Sequence, residues 1–331
     1  MPPHPRRRIA VLGAGAWGTA LAVQAARAGN AVGLWARDAG RAATIAEARE
    51  NARDLPGVAL PPAIEPTADA AAALQGAMFT LVAVPAQHLR AVLGALPALG
   101  GRLVVCAKGV ERGTLRLPLE ILAELRPGEA AGVLSGPNFA HEVAKGLPAA
   151  AVIASEDAAL RCQVADLLGT AGFRLYGGDD PIGVQVGGAA KNVIAIAAGA
   201  VIGAGLGENA RAALVTRGLA ELSRLTVALG GRAETAAGLS GLGDLLLTTT
   251  GPGSRNTSLG AELGRGATLE HALAGRVGVA EGVATAPAIV ARAAALGVEL
   301  PICAAVAQLL AGEVSLGEAM GRLLARPRRD E

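Results

Sequence analysis

Apolar positions in the first half of the chain fall in short runs of strand length. Ile9–Leu12 is one such run, closed by "GAGAWG" and followed by "TALAVQAARAG", whose pattern predicts a helix ending at Gly29. "AVGLWAR" predicts a second strand. "MFTLVAVP", from Met78, predicts another that stops at Pro85, and "GRLVVCAKG" one that ends at Lys108 and Gly109. "AAGVLSGPNFA" and "AAAVIAS" give two more, with helical patterns between them. Strands alternating with helices predict an α/β, Rossmann-type, doubly wound and largely parallel sheet, which takes its ligands at the carboxyl ends of its strands.

The pattern changes near Pro181. From Val184 onward long Ala-, Leu- and Gly-rich stretches predict helices, for example over 211–229, 269–274 and 284–296, and no strand. Pro287 then falls near a helix start, where proline is tolerated. The chain of 331 residues has room for two domains. The expected division is a dinucleotide-binding domain over 1–183 and an all-α substrate and catalytic domain over 184–331. No internal repeat stands out, and the "RPRRDE" tail reads as disordered.

Composition narrows the function classes. With 52% hydrophobic and 18% charged residues the chain can bury a large core. A net charge of +2 from mixed signs argues against a nucleic-acid surface, and 2% aromatics leaves few stacking platforms. Cys106, Cys162 and Cys303 lie far apart in apolar runs, with neither metal-ligand spacing nor a disulfide framework. The expectation is no metal site and buried free thiols in a reducing cytoplasm. The stretch "RRRIAVLGAGAWGTALAVQAA" imitates a signal peptide or membrane span, but its glycine spacing favours a nucleotide-binding turn, and no other span is expected to cross a membrane. The expected partner is a small molecule; oligomeric state stays open, a homodimer among the options.

The glycines have separate tasks. Gly13 allows a tight turn, Gly15 lets backbone approach a pyrophosphate, and Gly18 lets the helix pack on its strand. The second strand ends Trp35-Ala36-Arg37, with no acid at its tip. Arg37 favours a 2′-phosphate and therefore NADP over NAD, although Asp38 follows at once. Lys108 closes one strand, and Ser135, Gly136 and Asn138 close another.

In "GLGDLLLTTTGPGSRNTSLG", Asp244 and Thr248 share a helix face, and Ser254-Arg255-Asn256 can open a helix. An Arg with free helix-start amides suits a phosphate; an ordinary N-cap with a surface Arg reads the same way. "GGAAKNVIAIAAGA" holds a single charge, Lys191, among small and apolar neighbours. Its ammonium either snorkels to solvent or is held in place for chemistry.

Taken together, these pieces resemble the bacterial-type NAD(P)-dependent glycerol-3-phosphate dehydrogenases over nearly the whole chain. The resemblance rests on "GAGAWGTALA", Trp35 and Arg37, Asn51 with "LPG", "AVPAQ", "AKGVE", "SGPNFAHEVAKGLP", "AAKNVIAIAAG", "TRGLAE", "GLGDLLLT", "SRN" and "VAEGVATA". It implies that dihydroxyacetone phosphate and sn-glycerol 3-phosphate are interconverted with NADP or NAD, the product feeding phospholipid synthesis. Lys191 matches the family's catalytic lysine, with Asp244 to orient it or a substrate hydroxyl. Lys108, Gly136, Asn138, Asn192, Thr248, Ser254, Arg255 and Asn256 join them as substrate-binding positions. Cofactor-contacting positions are Ala16, Trp17, Arg37, Lys108, Ala140, Arg255, Val279 and Glu281, besides the three turn glycines. The chain departs from the family's pattern at Asn138, where Ser or Thr is usual, at Thr257, where a second Arg is common, and at Asp54, where an aromatic precedes "LPG". A related hydroxyacid dehydrogenase, which would need a carboxylate clamp, and a non-catalytic NADP sensor are the alternatives.

Overall fold

The structure is a computed structural model that describes residues 7–96, 101–251, 253–274 and 280–327. Val279 and the last four residues of the "RPRRDE" tail lie outside the described residues. The chain divides into two compact units. The first runs through Lys108 and resumes over Leu117–Val184; the second combines Gly109–Arg116 with Gln185 onward.

The first unit is built on an 8-stranded sheet. Its strands are β1 (Arg8–Leu12), β2 (Ala31–Trp35), β3 (Ile64–Thr67), β4 (Ala77–Val82), β5 (Arg102–Val105), β6 (Ala131–Ser135), β7 (Ala149–Ala154) and β8 (Phe173–Gly178). They lie in the order β3-β2-β1-β4-β5-β6-β7-β8. All pairings are parallel except β6 with β7. Strand order reverses between β1 and β4, which opens a crevice at their carboxyl ends.

Alternate strand residues serve two cores. Ile9, Val11, Phe79, Leu81 and Val104 pack on one face, with Leu21 and Ala25 of the helix Ala16–Arg27. Leu12, Val82, Leu103 and Val105 pack on the other, with Leu89, Leu93 and Ile121. Both faces are covered, so these strands read as continuous apolar runs rather than alternating ones.

Two strands escape the sequence pattern. β3 is an edge strand containing Glu65 and Pro66, and β8 is the opposite edge, with Arg174 and Tyr176 facing out. Edge strands tolerate such residues because one side of the ladder is open.

The second unit is helical. Its central helix, Pro181–Gly203, is buried over most of its length and largely apolar around its circumference, with Gln185, Lys191 and Asn192 as buried polar exceptions. By length and hydropathy it could cross a membrane, yet 89% of its most apolar window is buried inside the protein. Its small residues serve close packing. A Cβ at Gly199 would lie 2.0 Å from the Thr257 carbonyl oxygen, and one at Gly260 would lie 2.0 Å from that of Ile196. The helices Pro181–Gly203 and Arg255–Gly264 therefore meet backbone to backbone.

Two expectations need correction. Cys106 and Cys303 are buried, but Cys162 is exposed. It lies on the helix Ala158–Leu168, whose buried face is Leu160, Val164, Leu167 and Leu168; position 162 points away from that stripe. The predicted helix at 284 starts earlier, at Glu281, so Pro287 sits inside it rather than near its start. The missing N–H there costs one intrahelical bond.

Candidate active site

The first unit presents a nucleotide cradle. β1 ends at Leu12, and Gly13 turns the chain with φ 108°. A Cβ on Gly13 would come within 2.7 Å of the Ala83 oxygen just beyond β4. A Cβ on Gly18 would come within 1.9 Å of the Gly13 oxygen, so the helix packs directly on the turn. Gly15 differs: a Cβ there would meet nothing within 4 Å. It is also the N-cap of the helix Ala16–Arg27, and no side chain caps that end. The amides of Ala16, Trp17 and Gly18 thus head a helix with open space at its cap, which fits a dinucleotide pyrophosphate.

Other side chains brace this turn. The buried Asn51 amide donates to the Ala14 oxygen and to Thr19 Oγ1, both at 2.8 Å. Arg41 contacts the same Ala14 oxygen and the Asp54 carboxylate. Asp54, where the family pattern has an aromatic, is therefore one half of an ion pair at the turn. Beyond β2, Arg37 is exposed, whereas Asp38 is the N-cap of the helix Ala39–Ala48 and accepts from the Arg41 amide at 2.7 Å. The Asp38 carboxylate has a structural partner, which leaves Arg37 as the cation at the strand tip.

At the ends of β5 and β6, Lys108 Nζ donates to the Gly136 oxygen at 3.1 Å. Asn138 Nδ2 donates to the Ala150 oxygen at 3.0 Å, and Ala140 opens the helix Ala140–Lys145. Ser135 Oγ, Asn138 Oδ1 and Trp17 Nε1 are buried without a hydrogen-bond partner among the described residues. Buried polar atoms in that state are completed by water or by a ligand. Cys106, close to Lys108, is no nucleophile: burial pushes its thiol up to about 12, against a smaller opposing pull from the Lys108 charge.

The second unit answers the question raised by Lys191. The residue is only 8% exposed, and its ammonium is held by buried partners instead of snorkelling to solvent. Nζ donates to Asp244 Oδ1 and to Thr248 Oγ1, both at 2.9 Å. Asp244, 1% exposed, follows the π-helical turn Leu239–Gly243 and opens the helix Asp244–Thr250. Gly187, one turn before Lys191, lets that π turn approach: a Cβ on it would lie 2.7 Å from the Ser240 oxygen. The small residues ahead of Lys191 therefore deliver its carboxylate partner.

A second network lies next to the first. Ser254 caps the helix Arg255–Gly264, its Oγ accepting from the Thr257 amide at 3.2 Å. Arg255, exposed, is the first residue of that helix. Asn256 Nδ2 donates to Asn192 Oδ1 at 2.9 Å, and Asn256 Oδ1 accepts from the Gly282 amide at 3.2 Å. Asn192 Nδ2 reaches the Gly188 oxygen at 3.3 Å. Asn256 thereby connects the neighbour of Lys191 to the start of the helix Glu281–Ala294, where Glu281 is half-buried. Arg41 and the hydroxyl of Thr257 were not singled out as useful by the sequence, and neither sits in a motif that marks its partner.

A helix-capped cradle for a dinucleotide and a buried ammonium held by a carboxylate are what hydride transfer to a carbonyl requires. They put the chain among the nicotinamide-dependent dehydrogenases. Residues 8–161 match the NAD-dependent glycerol-3-phosphate dehydrogenase N-terminus, and residues 180–321 match the C-terminus of the same family. The chain belongs to this family. It is 56% identical over 331 residues to the glycerol-3-phosphate dehydrogenase (NAD(P)+) of Acidiphilium cryptum, covering 100% of both chains. Identity to the enzyme of the same name from Caulobacter vibrioides is 54% over 285 residues, 85% of this chain and 86% of that one. The crystal structure of glycerol-3-phosphate dehydrogenase from Coxiella burnetii superposes with a TM-score of 0.93 at 37% identity, over 97% of this chain and 99% of that one.

Proposed function

We propose that this enzyme reversibly reduces dihydroxyacetone phosphate to sn-glycerol 3-phosphate with NADPH or NADH, in the cytoplasm, and so supplies glycerophospholipid synthesis. The relatives' names support the reaction and the NAD(P) cofactor. The observation that carries the mechanism is the buried Lys191 ammonium with two fixed acceptors.

When bound, the reduced nicotinamide supplies the hydride. The rest is the work of this chain's residues. Lys191 polarises the ketone oxygen and gives it a proton as the alkoxide forms; in the oxidative direction its neutral amine takes the proton back. Asp244 and Thr248 hold the ammonium in one orientation. Arg255, with the helix-start amides behind Ser254 and with Asn256, binds the phosphate. Lys108, Gly136 and Asn138 complete the substrate contacts.

Gly13, Gly15, Ala16, Trp17 and Gly18 cradle the pyrophosphate. Arg37 takes a 2′-phosphate, which favours NADPH, and Lys108, Ala140, Arg255, Val279 and Glu281 contribute further cofactor contacts. The first unit holds the cofactor and the second carries the proton donor; Gly109–Arg116, expected in the first domain, belongs to the second. A non-catalytic sensor has no need for Lys191, Asp244 and Arg255 together; a hydroxyacid dehydrogenase also uses a helix lysine but needs a carboxylate clamp in place of a phosphate site. The assembly to test is a homodimer, by light scattering.

The experiment is a spectrophotometric assay of NADPH loss with dihydroxyacetone phosphate, with a 2-keto acid in parallel. Turnover of the phosphorylated ketone alone supports the proposal; turnover of the keto acid alone, or of neither, contradicts it.

A further inference from the structure

Thr257 holds the place where a second Arg is common, and its side chain is engaged. Its Oγ1 donates to the Thr248 carbonyl oxygen at 2.5 Å and lies 3.0 Å from Ser254 Oγ. With the Thr257 proton on that carbonyl, Ser254 is the donor in the second contact. Both threonines and Ser254 are buried.

The acceptor matters. The helix Asp244–Thr250 has 7 residues and ends at Gly251. Its last carbonyls have no acceptor role inside the helix, and the Thr248 carbonyl is one of them. Thr257, from the next helix, satisfies it. Thr248 is also the residue whose Oγ1 accepts from Lys191 Nζ. Its backbone oxygen and its hydroxyl thus face two partners, one on the phosphate-end helix and one on the helix of the proton donor.

We propose that Thr257 is a positioning residue for the proton donor. By holding the Thr248 carbonyl, its hydroxyl fixes the turn whose side chain orients Lys191. It also ties that turn to Ser254, the N-cap of the helix that begins with Arg255. An apolar residue of the same shape would leave the Thr248 carbonyl buried and unpaired, and the end of a short helix would be free to shift. A shift of a fraction of an ångström at Thr248 passes directly to the Lys191 ammonium, and misplacement on that scale is costly to a proton transfer.

The proposal rests on Lys191 as proton donor, so the experiment includes Lys191→Ala. Thr257→Val keeps the volume and removes the hydroxyl; Thr257→Ala cannot clash; Thr257→Ser restores the hydroxyl. The readouts are kcat and KM with dihydroxyacetone phosphate, the NADPH Kd by fluorescence titration, and the thermal midpoint. Thr257→Val and Thr257→Ala should lose about tenfold in kcat, in the range of one misplaced catalytic contact, with the NADPH Kd within about twofold of the native enzyme. Thr257→Ser should recover most of the loss. Native kcat in both the Val and Ala variants, beside an inactive Lys191→Ala, overturns the role of Thr257 alone. An active Lys191→Ala removes the reading beneath it. Failure of both variants to fold also overturns the proposal, since the tie is then general packing; so does a Ser variant no better than Val.

Discussion

Lys191 Nζ and Asp244 Oδ1 lie 2.9 Å apart although 53 residues separate them in sequence. Both groups are buried, so each charge depends on the other. Asp244→Asn keeps the shape and removes the charge that holds the ammonium. It should lower kcat by roughly 100-fold while the NADPH Kd stays near native. Asp244→Ala leaves Lys191 without its carboxylate and should destabilise folding by about 3–5 kcal/mol, read by denaturant unfolding. A native kcat in Asp244→Asn would show that the pair is structural.

Arg255 opens a helix whose N-cap is Ser254, an arrangement that binds anions. Arg255→Ala should cut kcat/KM for dihydroxyacetone phosphate by about 100-fold, on the order of a lost charge-assisted pair. Dihydroxyacetone, which has no phosphate, should be affected much less. Equal losses for the two ketones would assign Arg255 elsewhere.

The fold was legible where local chemistry dictates it. Gly13 and Gly18 stand at close backbone contacts that no other residue fits, so their spacing announced the turn. The lone charge of Lys191 marked the position but left snorkelling and a held ammonium both open; Asp244 and Thr248 were legible as a pair on one helix face, and their bonds to Lys191 were not. β3 and β8 were not legible, because edge strands carry Pro66 and Arg174 without penalty. Nor was the reversal of β7 against β6, since strand direction leaves no mark on an apolar run. Asp38 looked like a competitor to Arg37; in the fold its carboxylate caps a helix. The tie between Thr257 and Thr248 spans two elements and depends on where a short helix ends, which side-chain pattern does not encode.

Arg37 is exposed just past β2, and Asp38 is engaged by the Arg41 amide. The enzyme should prefer NADPH over NADH by about tenfold in kcat/KM, worth about 1.4 kcal/mol. Arg37→Ala should narrow that ratio mainly by weakening NADPH. An unchanged ratio would show that Arg37 does not read the phosphate, and a native preference for NADH would reverse the assignment.

Glu221 supplies a pH-dependent contribution to stability. Its carboxylate accepts from the amides of Ile302 at 2.6 Å and Cys303 at 3.2 Å, capping the helix Pro301–Leu310, whose own N-cap Leu300 has no side-chain acceptor. Burial pushes its carboxyl above the ordinary value, more than these two bonds lower it. The folded chain therefore keeps this proton at pH values where the unfolded chain has released it. The contribution is full below the ordinary carboxylate range and declines as pH rises toward the raised value. As pH rises from about 4 through the ordinary carboxylate range and beyond it, the unfolding free energy of Glu221→Gln should gain relative to native. Urea unfolding across that range checks it; a constant difference, or one that moves the other way, contradicts it.

The central claim is that Lys191 gives the substrate oxygen its proton. The most direct measurement is steady-state NADPH oxidation with dihydroxyacetone phosphate by Lys191→Ala, beside its NADPH Kd from fluorescence titration. The account predicts kcat lower by about 100-fold or more with the Kd unchanged, since the cradle around Gly15 is untouched. Near-native turnover in the variant would contradict it.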